Sequence, residues 1–263
     1  MPYTFLETRR DGPVQQLVLN RPELRNAYDD RMVGELTDWA HRAAADSTLR
    51  VVVLSGGGPV FCAGADLDWM TRSRTRGREE YGRDAAALSG MLHALDTLPQ
   101  ALIGRVQGAA IAGGVGLVAV CDIVVAAEDA VFSFPEVKLG IVPAVISPYV
   151  LARIGRFAAR ELFLTGARFS AARAREIGLV NALVPEGELD ATVEGYVREL
   201  LSSAPQAVAA AKKLIREVAA LPRADATALT AEVLAERRAS EEAREGLAAF
   251  LEKRQPPWAR WPG

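Results

Sequence analysis

Cysteine and histidine are scarce in this 263-residue chain, which has two of each: Cys62, Cys121, His41 and His93. Two cysteines build no disulfide framework, which points to a reducing compartment and a cytoplasmic location. Both histidines fall on helical stretches with no carboxylate or cysteine at ligand spacing. That leaves no Ser-His-Asp or Cys-His set and no metal cluster. Aromatics make up 6% and the net charge is -2, so neither a basic, aromatic nucleic-acid face nor attraction to anionic lipid is expected. The opening MPYTFLETRRDG shows no apolar signal core and no transit-peptide character. The longest apolar run, Ala109 to Ala127, is broken by Gly113, Gly114, Gly116 and Asp122. It reads as buried turn, helix and strand, not as a membrane span.

Half of the residues are hydrophobic and 24% are charged, enough for a substantial core. Residues 3–8 and 14–20 read as strands around the turn Asp11-Gly12-Pro13. A helix is expected from Asp29 to Ala45, with Met32, Leu36, Trp39, Ala40 and Ala43 on one face. RVVVLSG (50–56) reads as a fully buried strand, and FCAGADLDWM (61–70) as a loop passing into a helix. The arginine-rich stretch 71–83 reads as a solvated segment. Leu88, Met91, Leu92, Leu95 and Leu98 mark an amphipathic helix that Pro99 ends. Ser147-Pro148 reads as an N-cap and N1 pair, and Ser170 and Gly178 bracket a further helix. LVNALVP (179–185) is a late strand, and beyond Pro185 the chain reads as helices alone. Strands and helices come first and helices last.

The chemistry concentrates between Gly108 and Gly140. Gly64 and Ala65 in FCAGADL, and Gly113 and Gly114 in AIAGGVGL, each lead from a strand or loop into a helix. Backbone N–H groups converging there would form an oxyanion hole; glycines in these places also serve close strand–helix packing. The same run matches the dinucleotide pattern G-x-G-x-x-A, yet it lies mid-chain on a helix of two turns, not in an opening βαβ unit. Glu136, in FSFPEVKLG, stands alone among Phe132, Phe134, Val137 and Leu139. Buried there it would hold a proton near neutral pH; on the surface it would be an ordinary loop glutamate. Asp66 and Asp68 open a helix, where carboxylates complement the N-terminal dipole.

FCAGADLDWM, VQGAAIAGGVGLVAVCDIVVA and FSFPEVKLGIVPAVISPYVLARIG, in that order and spacing, resemble the enoyl-CoA hydratase/isomerase (crotonase) superfamily. The resemblance runs from RPELRNAYD to EGLAAFLEKRQPPW, and PAVISPYV and EGLAAFLEKR look most like methylglutaconyl-CoA hydratase-type members. It implies an α/β fold: a crotonase-like spiral of ββα units in residues 1–195, then a helical trimerisation region in 196–263, assembled as a homotrimer or a hexamer of two trimers. It implies an acyl-CoA thioester as substrate, with coenzyme A part of that substrate and no further cofactor.

Residue by residue, the resemblance implies that the N–H groups of Ala65 and Gly113 hold the thioester oxygen, with the helix after Gly114 adding its positive end. Arg25, Asn26 and Ala27, and the segment Ala65, Asp66, Leu67 and Asp68, would line the coenzyme A path. Glu136 matches the second catalytic glutamate. The chain departs from the family at the first glutamate: where typical hydratases read GGGCEL, it reads GGVGL, placing Gly116 there. A dicarboxylic, methylglutaconyl-type substrate would need a cation from among Arg72, Arg74, Arg76, Arg78, Arg83 and Lys138. Hydration of a 2-enoyl-CoA, isomerisation of a 3-enoyl-CoA by one glutamate, and silent acyl-CoA binding are the readings to separate.

Overall fold

The computed structural model describes residues 3–72 and 77–259. β1 (Leu6–Asp11) and β2 (Val14–Leu19) form an antiparallel hairpin whose turn uses Gly12 at φ +51°. From β2 onward the main sheet is parallel, through β3 (Val51–Gly56), β4 (Ala101–Val106), β6 (Ile123–Ala127) and β9 (Ala182–Val184). The spatial order is β1-β2-β3-β4-β6-β9. A smaller sheet joins β5 (Ala109–Ile111), β7 (Val131–Ser133) and β8 (Arg168–Ser170). Parallel neighbours need crossovers. α1 (Asp30–Ala45) links β2 to β3, and α2 (Leu67–Arg72) with α3 (Arg78–Asp96) links β3 to β4. α4 (Gly113–Ala119) links β5 to β6.

Because crossovers cover both faces, all six residues of β3 are buried, which is why its sequence is continuous Val-Val-Val-Leu and not alternating. α1 starts where Asp29 caps it by accepting from the Met32 N–H at 2.9 Å. Its buried face is the expected one, with Val33 added.

Of the arginine-rich stretch, residues 77–83 are exposed apart from the half-buried Glu80, as a solvated segment should be, and 78–83 are helical: Glu79 and Glu80 complement the first turn of α3, the Gly77 N–H donates to Glu80, and Arg83 pairs with Glu79 at 3.0 Å. Two expectations need correction. Ser147 does not cap α5 (Ser147–Thr165); it is the first helical residue, and its hydroxyl donates back to Ala144 O. The expected domain boundary at 195/196 falls inside α7 (Leu189–Ser202), which buries Leu189, Val193, Val197 and Leu201 and contacts β3, β4 and β6. The helical tail therefore starts after Ser202, with α8 (Pro205–Ala220), α9 (Arg223–Ala239) and α10 (Glu241–Leu251). Ser170 does cap the short α6 (Ala171–Glu176), accepting from the Arg173 N–H.

The tail is tied to the sheet by charge. The Lys212 ammonium on α8 reaches Asp122 at 2.7 Å and Gln100 O at 3.1 Å. Arg50, at the start of β3, donates to the carbonyls of Leu201, Ser203 and Trp258.

Candidate active site

The loop after β3 is stitched to two parts of the chain at once. On one side, Ala63 N–H donates to Arg25 O, Tyr28 N–H to Gly64 O, and Asp66 N–H to Tyr28 O, at 2.8–3.0 Å. On the other side, Cys62 N–H donates to Ala109 O and Ile111 N–H to Cys62 O. Gly64, at φ +90°, permits this approach: a Cβ on it would lie 2.8 Å from Ile111 O and 3.6 Å from Gly113 N. The pairing leaves the Ala65 N–H without a partner among the described residues, and the Gly113 N–H at the head of α4 is likewise unpaired.

Ala112 turns the Gly113 peptide. It sits at φ +51°, ψ -121°, as the residue before α4, with its own N–H held by Ser133 O. A non-glycine residue in that region costs about 1–3 kcal/mol and persists only where its surroundings hold it.

Ala65, Gly113 and Glu136 line one cavity of about 710 Å³. Glu136 lies on the 3-10 turn Pro135–Leu139, at 8% exposure, and its Oε2 has no partner. Behind it Phe134 is fully buried against Phe163 and Phe169. Burial pushes the Glu136 carboxyl up from its ordinary value, against a smaller opposing effect of its own backbone hydrogen bond. The deeper walls are Leu88, Ile111, Val145 and Ile146, and the rim includes the exposed Arg25, Leu67, Asp68 and Val142.

Arg25, Ala27, Ala65, Asp66, Leu67, Asp68 and Gly113 thus share this cavity, as the sequence led one to expect. Asn26 and Gly114 do not line it. Asn26 is fully buried and locks its own loop: its side-chain oxygen accepts from the Arg21 N–H, and its amide donates to Gly57 O and Val60 O. Gly114 lets α4 lie on the Cys62 strand, where a Cβ would come within 2.4 Å of Cys62 O. Asp66 caps α2 through the Asp68 and Trp69 amides and pairs with Arg21 at 2.9 Å. Burial works to raise its carboxyl, but the Trp69 amide, the Arg21 guanidinium and the Asp68 amide outweigh burial and hold it low.

Of the cations considered for a distal carboxylate, Arg78, Arg83 and Lys138 lie off the cavity. Arg83 pairs with Glu79, and the Lys138 stem covers Gly166. Arg74, Arg76 and the Arg72 side chain lie outside the described residues.

Sequence reasoning passed over three residues here. Arg21 looked like a loop cation, yet its guanidinium is buried among Asp29, Asp66 and Ala27 O. Tyr28 lines the cavity. Ile146 closes the space beside Gly116: a Cβ on Gly116 would fall 2.3 Å from Ile146 Cγ2. The position from which a first glutamate would project is therefore occupied by a methyl group. Gly116→Glu alone is expected to lose about 1–3 kcal/mol of stability through overpacking, with no gain in crotonyl-CoA hydration. Combined with Ile146→Ala, it should hydrate faster than the single variant. Melting temperature and the loss of enoyl absorbance measure the two effects.

An apolar cavity with two unpaired amides and one unpaired, buried carboxylate has the parts to polarise a carbonyl and move a proton beside it. The family described as enoyl-CoA hydratase/isomerase matches residues 9–260. A crystal structure of an enoyl-CoA hydratase from Shewanella pealeana superposes with a TM-score of 0.93 at 37% identity, covering 97% of this chain and 96% of that one. Pseudomonas aeruginosa AtuE gives 0.95 at 37% identity, covering 98% and 100%. Enoyl-CoA hydratase domain-containing protein 3 of Xenopus laevis is 32% identical over 262 residues, covering 98% of this chain and 86% of its own length. This chain belongs to the enoyl-CoA hydratase/isomerase family and has the crotonase fold.

Proposed function

We propose that this enzyme hydrates 2-enoyl-CoA thioesters that carry an apolar acyl group. The observation that carries the reading is the meeting of the Ala65 N–H, the Gly113 N–H and the Glu136 carboxylate in one cavity. The thioester oxygen accepts from both amides. Ionised Glu136 takes a proton from water as the water oxygen bonds to C3, and the π electrons move onto the thioester oxygen as an enolate. Glu136 then returns the proton to C2. Each amide donor is worth about 10²–10³ in rate. The apolar inner wall favours a hydrocarbon acyl group over a dicarboxylic one such as methylglutaconyl. Arg25 and Ala27 at the mouth suit the coenzyme A portion.

One observation favours a second reading. With Ile146 against Gly116, no carboxylate projects from position 116 to help Glu136 hold water, and shuttling a proton between C2 and C4 of a 3-enoyl-CoA needs only one base. Crotonyl-CoA and 3-hexenoyl-CoA separate the two. Loss of enoyl absorbance with the first supports hydration; growth of that absorbance with the second supports isomerisation. Turnover of methylglutaconyl-CoA above that of crotonyl-CoA would overturn the apolar preference.

The reading includes a cytoplasmic location, for which two free, buried cysteines speak, and a homotrimer or a hexamer of two trimers. Exposed Leu234, Leu247, Phe250 and Leu251 on the last two helices support assembly. Mass measurement in solution tests it.

A further inference from the structure

The phenol of Tyr28 is not explained by packing. Tyr28 is 2% exposed, and its hydroxyl makes no hydrogen bond among the described residues. The hydroxyl is not among the fully buried polar atoms that lack a partner, so the little exposure Tyr28 keeps includes that end of its ring. The residue forms part of the wall of the cavity that holds Ala65, Gly113 and Glu136.

Its position is specific. A Cβ on Gly113 would lie 1.7 Å from Tyr28 Oη, 2.6 Å from Cζ and 2.8 Å from Cε1. The hydroxyl end of the ring is thus the part that abuts Gly113, and glycine is needed at 113 to leave it room. The Tyr28 backbone is bonded on both sides of Ala65, through Gly64 O and the Asp66 N–H. One residue therefore borders both amide donors. Glu136 acts on the hydroxyl through its charge alone, with no hydrogen bond between the two side chains. Burial first, and then the neighbouring Cys62 and Glu136, push the phenol well above its ordinary acidity range, so it stays protonated and acts as a donor.

We infer that the Tyr28 hydroxyl is a third hydrogen-bond donor to the thioester oxygen, engaged as the enolate develops, beside the amides of Ala65 and Gly113. This rests on the acyl-CoA reading above and adds to it a group that touches the reacting atoms. A donor that strengthens as charge builds lowers the barrier without tightening ground-state binding.

Tyr28→Phe tests it. With crotonyl-CoA or 3-hexenoyl-CoA, whichever the wild type turns over, kcat is expected to fall roughly 10- to 100-fold with KM within about twofold. The melting temperature should hold, because the ring still fills its place and the hydroxyl has no partner in the folded protein among the described residues. Acetoacetyl-CoA, whose enolate absorbs in the near ultraviolet, should show a smaller bound-enolate fraction in the variant, while butyryl-CoA binds both proteins equally. An unchanged kcat and enolate fraction in a folded variant of an active wild type overturns the Tyr28 role alone. So does a loss of kcat matched by lower melting temperature and weaker butyryl-CoA binding, which assigns the ring to packing. A wild type inert toward both substrates and both binding probes overturns the acyl-CoA reading and this role with it. Should Tyr28→Phe not fold, 3-fluorotyrosine at position 28, a stronger donor on the same ring, is expected to raise the bound-enolate fraction; no change overturns the proposal.

Discussion

Glu136→Gln is expected to lower turnover of the acyl-CoA substrate by about 10²–10⁴, the usual contribution of a positioned acid–base group, while the folded structure survives. The residue is 8% exposed, and Oε2 has no partner among the described residues. An amide fills the same volume but neither takes a proton from water nor returns one to C2. The substitution also has a stability signature. The folded-state pKa of Glu136 is raised by burial from the ordinary 4.5. The folded protein therefore holds this proton more tightly than the unfolded chain does, and wild-type stability declines as pH rises from the ordinary value through the folded one. Glutamine carries no such linkage. The melting temperature of the variant should exceed that of the wild type at neutral pH, and the excess should shrink below pH 4.5. Full activity in the variant would refute the mechanism. A melting difference independent of pH would refute the burial of the charge.

Arg21→Met is expected to cost about 3–5 kcal/mol of stability, because it leaves a buried carboxylate without its counter-charge. The guanidinium donates to Asp66 at 2.9 Å and to Ala27 O at 2.7 Å, lies 3.3 Å from Asp29, and stacks on Phe5 at 4.5 Å. It thereby joins the loop of residues 25–28 to the segment that carries the Ala65 amide. Turnover should fall with stability, since both sides of the cavity depend on that joint. Asp66 is held below its ordinary range, so its stabilising effect is present above the ordinary aspartate pKa and fades as pH drops through the lowered folded value. The variant should lose part of this acid-side dependence. Denaturant unfolding at neutral and acid pH measures both effects. A loss under about 1 kcal/mol, the range of an exposed pair, would show that Arg21 is not the joint.

The parts of the site that were legible in the sequence are those whose chemistry depends on residue type. Gly64, Gly113 and Gly114 announce close backbone approaches, and only the structure separates them: Gly113 opens onto the cavity while Gly114 meets Cys62 O. A lone glutamate two residues after Phe134 leaves a desolvated acid and a surface loop glutamate both open, and its 8% exposure decides for the first. The buried face of α1 follows from helical spacing, because its partner layer is apolar wherever it comes from. Asn26 was legible as important but not in its direction. Its side chain turns inward to the carbonyls of Gly57 and Val60, which lie 31 and 34 residues further along the chain. Tyr28 and Arg21 gave no local sign. Tyr28 stands among polar and charged neighbours in RNAYDDR, and Arg21 stands beside a proline just past the end of a strand.

By itself the amino-acid order decided the alternation of strands with crossover helices, the apolar faces they share, and which glycines and which acid were available for chemistry. These are properties of neighbours along the chain: spacing, side-chain volume and allowed φ. Only the tertiary structure decided that residues 25–28, 63–66, 111–113 and 136 meet, that Ile146 fills the space beside Gly116, and that the phenol of Tyr28 ends against Gly113. Such contacts join segments tens of residues apart. Hydrogen bonds between loops set them, and no periodicity along the chain encodes which loop will face which.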